Sequence, residues 1–147
     1  MTQAREEGQR WFEQAEEDVI SARHLMDDQR FYLVCFLAQQ IAEKALKGYL
    51  YSAGEQIVVG HGVERLCGWC AERDPSFAGV KDEIAVLDGY YIPTRYPNGL
   101  PAGIPARTYN RAAAESALAL AQKTLAFASA QAENLPQERS QPEPENS

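Results

Sequence analysis

Arg95 lies in the run YYIPTRYPNGLPAG, residues 90–103. A guanidinium held between prolines and tyrosines is a rigid two-pronged donor for phosphate, and the rings of Tyr91 and Tyr96 can stack a base. Arg107 and Arg111 follow closely and are candidates to converge on the same ligand. Lys44 and Lys47 share a polar helix face with Gln40 and Tyr51, and they would add positive charge if that face met the loop. Each group also has a plainer use. Arg95 could pair with a carboxylate such as Asp88 and fasten the loop to the body. The lysine face could be solvated, with Glu43 and Lys47 as an i,i+4 pair worth about 0.3–0.5 kcal/mol. Both alternatives stay open at the level of sequence.

Other reactive residues carry weaker signals. Cys67-Gly68-Trp69-Cys70 is a CxxC, but a redox pair needs its first thiol at a helix N-terminus after a strand, and a zinc site needs further ligands. Here the pair falls inside a short helix, which makes the cysteines structural. His61 could act as a general base, yet no nucleophile lies near it in sequence, and a capping or loop-anchoring role suits it better. The chain has no Walker loop, no dinucleotide glycine fingerprint and no Glu-x-x-His pairs of a di-metal bundle. No catalytic residue, no metal and no cofactor is therefore assigned from the sequence.

These residues need elements to hold them. Residues 31–53, FYLVCFLAQQIAEKALKGYLYSA, form the central one. On a helix, Val34, Leu37, Ala38, Ile41, Ala42, Ala45, Leu46 and Tyr49 fill about half the circumference, well beyond the ~100° stripe of a surface helix. Such a helix must be covered on several sides, and apolar area left over would make a dimer interface. A helix over 4–28 precedes it, with Trp11, Ala15, Val19, Ala22 and Met26 inward, and the polar turn at 27–30 makes the two an antiparallel hairpin. Gly54 is the expected left-handed residue that ends the central helix. A helix over 62–73 and another over 76–91 follow, the latter with Phe77, Val80, Ile84, Leu87 and Tyr91 as its seam.

Four prolines at 93, 97, 101 and 105 then exclude helix and central strand from residues 92–107. Loops this long are uncommon in compact domains, and its tyrosines argue for an ordered segment packed on the bundle. Thr108 is the expected cap of the last helix, which buries Ala113, Ala117, Leu120, Thr124, Phe127 and Ala128. The fold class is thus all-α: an up-and-down bundle of about five helices over residues 1–133, with a long proline-rich loop before the last. Residues 134–147 read as a disordered acidic tail.

The formal charge is −7, and residues 133–147 hold −3 of it, leaving −4 on the body. That argues against sequence-independent duplex DNA binding, which needs a basic surface. No apolar run reaches membrane-spanning length and no secretory signal opens the chain. Three cysteines without framework spacing fit a reducing, cytoplasmic location.

The stretches WFEQAEEDVISARHLM, FLAQQIAEKALKGYL and YYIPTRYPNGLPAG, with His61 in the linker, together resemble the HEPN domain family over roughly residues 10–131. The resemblance implies a bundle that forms homodimers and binds a nucleotide. It also implies a small nucleotidyltransferase partner, with which many members act in toxin–antitoxin-like pairs. Ribonuclease branches of the family carry an Arg followed by four to six residues and a His. Positions 100–102 after Arg95 are Leu, Pro and Ala, and neither His24 nor His61 has an arginine at that spacing upstream. The motif is absent, so the first expectation is a binding or regulatory module. A metal-independent ribonuclease toxin with a displaced active site and a purely structural interaction module are the alternatives.

Overall fold

The computed structural model describes residues 2–136. Its helices are α1 (Gln3–Asp27), α2 (Phe31–Ser52), α3 (Val63–Arg73), α4 (Ala78–Ile84), α5 (Pro105–Thr108) and α6 (Arg111–Glu133), and no strand occurs among the described residues. The fold is an all-α bundle.

The α1–α2 pair is antiparallel: Trp11 stacks on Tyr51, Asp18 meets Lys44, and Gly8 lies against Ser52 and Gly48. The connecting turn is made by Gln29 at φ 60°, where the Arg30 N–H reaches back to the Leu25 carbonyl and the Gln29 N–H to that of Met26. α2 ends the same way with a better residue. Gly54 sits at φ 104°, and the N–H groups of Glu55 and Gly54 bond the carbonyls of Leu50 and Tyr51. Only glycine takes this left-handed position at no steric cost.

α2 is the centre of the bundle. It packs against α1, α3, α5, α6 and the segment after α4. From Val34 to Leu50 every residue except Phe36, Leu37, Gln40 and Lys44 is buried, including Ile41, Leu46 and Tyr49. The apolar face that its sequence offers for dimer formation is therefore covered within the chain, and none of the large exposed apolar residues lies on α2. Beyond the apolar arc, Gln39, Glu43 and Lys47 are buried as well, so this line of the polar side is not solvated, while Gln40, Lys44 and Tyr51 are half-buried.

Three local expectations are corrected. The helix read as continuous over 76–91 is a 3-10 turn at Pro75–Phe77, then α4, then a 3-10 segment over Ala85–Tyr90. A 3-10 helix stacks residues three apart. Ile84, Leu87 and Tyr90 therefore share the inward face, and Tyr91 is rotated out of the seam it was assigned to. In the proline loop a 3-10 turn at Pro97–Gly99 and α5 do form. Each has proline at its first position, where the missing N–H costs nothing. The cap of α6 is Asn110, whose Oδ1 accepts from the Ala113 N–H at 2.9 Å; Thr108 instead bonds its own turn through the Ile104 carbonyl.

The loop is held to the bundle by Thr94, fully buried and bonded to the Tyr90 carbonyl, and by Pro105. Gly99 folds back onto Pro93, where a Cβ would stand 2.9 Å from the Pro93 Cα. The tail expected to be disordered lies outside the described residues apart from its first three. Of these, Leu135 packs on the core and its carbonyl accepts from Arg5.

Gly8 marks the closest approach of α1 and α2: a Cβ there would lie 2.6 Å from the Gly48 carbonyl oxygen and 1.9 Å from Ser52 Oγ. Backbone cannot step aside cheaply. Gly8→Ala should lower the unfolding free energy by about 1–3 kcal/mol in a urea titration, despite the ~1 kcal/mol gain in helix propensity. An unchanged or raised midpoint would show that the two helices can separate freely.

Candidate functional site

The polar stripe of α2 is built at four-residue intervals, Gln39, Glu43 and Lys47, so the three side chains stack along one line of the helix. Glu43 is 5% exposed. Its carboxylate takes Lys47 Nζ at 3.3 Å, Gln39 Nε2 at 3.4 Å and His61 Nδ1 at 3.1 Å. Gln39 also donates to the His61 backbone carbonyl at 2.7 Å. The linker that follows α2 is thereby tied to its midpoint. Val58, bonded through its N–H to the Tyr51 hydroxyl at 3.1 Å, secures the linker three residues before His61, against the end of α2.

His61 is held by one ring nitrogen while its side chain remains 58% exposed. Its ring stacks on Tyr91 with centroids 5.1 Å apart. Tyr91 reaches this position because the 3-10 segment turns it away from the core. On Tyr91 rests Arg95: its guanidinium carbon is 4.4 Å from the Tyr91 ring, 4.7 Å from Phe36 and 5.3 Å from Tyr96. Arg95 Nε donates to the Tyr91 carbonyl at 2.7 Å. Among the described residues no carboxylate lies within ion-pair distance of Arg95. Asp88, the partner considered for it, instead caps α3 by accepting the N–H groups of Val63 at 2.6 Å and Glu64 at 3.2 Å.

The other sequence candidates fall in different places. Lys44 pairs with Asp18 and Lys47 with Glu43, so both ammonium groups are neutralised by carboxylates. Lys47 also lies 5.5 Å from the Trp11 ring. Arg111 stands over Phe31, 5.0 Å from its centroid, and Arg107 is exposed on α5; neither shares a ring with Arg95. Tyr96 is half exposed beside Arg95. The sequence reading missed Gln39, Glu43 and Phe36 as parts of the cluster. The signal for the first two is the four-residue spacing of Gln39, Glu43 and Lys47; the sequence reading paired Glu43 with Lys47 only and left Gln39 out of the polar face.

Cys67 and Cys70 are buried, and their thiols donate to the carbonyls of Phe77 and Leu46. Burial pushes Cys67 and Cys35 up to about 11, and Cys70 further still. Thiols of that kind are inert at neutral pH. Among the described residues no group of three or more His, Cys, Asp or Glu is placed to hold a metal ion. No helix among them is long and apolar enough to cross a membrane.

Known proteins share both the bundle and much of the sequence. One family, described as the HEPN domain, matches residues 9–132. The chain belongs to the HEPN domain family. Two solved structures share the HEPN fold seen here. TT1696 from Thermus thermophilus is 41% identical, with a TM-score of 0.75 over 84% of this chain and 97% of that one. ST0689, an archaeal HEPN homologue, is 32% identical, with a TM-score of 0.69 over 90% of this chain and 99% of that one. No curated protein sequence matches.

Proposed function

We propose that this HEPN domain is a binding module that takes a nucleotide or other phosphate ligand on Arg95. The observation that carries this reading is the state of the guanidinium. Its Nε is fixed by the Tyr91 carbonyl and its faces by aromatic rings, while its remaining N–H groups have no hydrogen-bond partner among the described residues. A rigid, unpaired fork matches a phosphate in two-point geometry, and Tyr96, half exposed, is at hand to stack a base. The protein's net charge opposes an anion only weakly, since that field is screened beyond ~8–10 Å. Arg95→Ala should weaken nucleotide binding measured by calorimetry by about 1.5–3 kcal/mol, and Arg95→Lys should restore only part of it. A lower melting temperature with affinity unchanged would return Arg95 to the scaffold.

Family membership supports two further parts of the proposal: a homodimer, and a nucleotidyltransferase partner in a toxin–antitoxin-like pair. Of the large exposed apolar residues, Val86, Ile92 and Ile104 lie in and around the proline loop and Ile57 and Val59 on the linker before His61, and these are the surfaces the dimer would bury. Sedimentation of the protein as a 16.3 kDa monomer at micromolar concentration would exclude the dimer.

A second reading is favoured by one feature, His61. A histidine oriented through Nδ1 by a buried carboxylate, with Nε2 turned to solvent, has the arrangement of a general base, and Arg95 stands on the same tyrosine. That is the ribonuclease with a displaced site. The binding reading expects no RNA cleavage without metal. Cleavage that disappears in His61→Ala, with folding intact by circular dichroism, would replace binding with catalysis.

A further inference from the structure

At the other end of α2, about 20 Å beyond Phe36 at 1.5 Å per residue, a cavity of about 460 Å³ opens where α1 begins and α6 ends. We propose that it is a second, separate site that binds a small molecule through a phosphate or carboxylate group, with the Tyr49 hydroxyl, the Arg5 guanidinium and the first N–H groups of α1 as donors.

Tyr49 is the deciding residue. It is 1% exposed, and its ring is packed on Phe77 with centroids 4.6 Å apart. Its hydroxyl has no hydrogen-bond partner among the described residues, whereas a tyrosine this deep normally has one. Yet no fully buried side-chain oxygen or nitrogen is left unsatisfied among those residues. The hydroxyl is therefore the part of Tyr49 that reaches open space, and the space it lines is this cavity. Burial first, and the nearby Asp74 carboxylate second, raise its pKa, so at neutral pH the group is a proton donor.

The Asp74 carboxylate opposes an anion but is already bonded to Ser76 and Gln131, and the cations on the cavity wall are Arg5 and Arg73. Arg5 spends one terminal nitrogen on the Leu135 carbonyl at 3.3 Å, and its other terminal nitrogen carries no protein hydrogen bond among the described residues. Thr2 caps α1 by accepting from the Arg5 N–H, and the N–H groups of Gln3 and Ala4, in the first turn of a 25-residue helix, have no intrahelical partners; Ala4 lines the cavity. The helix dipole adds positive potential at that end. Arg73 forms the far wall, already occupied by Glu55 at 2.9 Å and the Ala53 carbonyl at 2.9 Å. That pairing holds the Glu55 carboxyl below the usual carboxylate range and neutralises Arg73, so the free positive charge is that of Arg5. The volume falls within the ~300–1,000 Å³ of small-molecule sites, larger than a bare phosphate needs.

The test uses the ¹⁵N-labelled full-length protein, titrated in separate arms with inorganic phosphate and with acetate. Saturable shifts at the amides of Gln3, Ala4, Arg5 and Ser52 are expected, and the arm with the tighter binding names the anion class. Tyr49→Phe keeps the ring on Phe77 and should weaken binding about tenfold, as should Arg5→Gln. Arg95→Ala should leave this affinity unchanged. Shifts confined to the surroundings of Arg95, non-saturating shifts scattered over the surface, or full affinity in Tyr49→Phe would each overturn the proposal. The first of those outcomes would leave the Arg95 reading standing.

Discussion

A carboxylate with 5% exposure in the middle of a helix sets the terms for the rest of this molecule. Burying an uncompensated charge costs several kcal/mol, so Glu43 must be surrounded by donors wherever α2 goes. Two of them, Gln39 and Lys47, come from the same line of the same helix. The third is His61, from the linker, and this one has structural reach. Because Glu43 accepts from its ring and Gln39 donates to its backbone, the chain between α2 and α3 cannot drift away from the bundle. The polar groups of the core and the geometry of the surface cluster are thus one network, with the satisfied side inward and the free ring nitrogen outward.

The second device is a change of helical pitch. Had α4 continued at 3.6 residues per turn, Tyr91 would have joined Phe77, Ile84 and Leu87 in the core. The tightening after Ile84 gives that inward place to Tyr90, which meets Tyr109 edge-on at 5.9 Å. Tyr91 becomes the platform on which an imidazole and a guanidinium both rest. Thr94 then plugs the start of the loop into the bundle, and Arg95 follows as its neighbour. A shift of one residue in the seam decides whether this chain has a surface cluster at all.

The framework of α1, α2, α3 and α6 could be read from apolar spacing alone, because long periodic runs leave little choice of inward face. Gly54 marked the end of α2 for the same kind of reason: few residues accept its backbone angles. The cluster was only half legible. Arg95, Tyr91 and Tyr96 stood out through the prolines around them. Glu43 did not, because charged residues at i,i+4 spacing look alike whether water or protein covers them; only the docking of the linker distinguishes the two. The 3-10 segment left no mark either, since Ile84, Leu87, Tyr90 and Tyr91 satisfy a three-residue and a mixed three-four spacing equally well. Lys44 was misjudged for want of its partner, as Asp18 lies on another helix.

The order of the helices along the chain has a consequence for synthesis. α2 is sealed on one side by α1, made just before it, but on another by α6, separated from it by residues 53–110. At about 5–20 residues per second a ribosome needs roughly 3–12 s to cross that interval. α6 leaves the ribosome that same interval behind α2, so the hairpin of α1 and α2 stands outside with the face that belongs to Ala117, Ala121, Leu125 and Ala128 still uncovered. The nascent chain therefore presents its most apolar helix, half dressed, for far longer than helices need to pack. That interval is when holding chaperones or a second nascent copy have access to α2, a surface that the finished protein never shows.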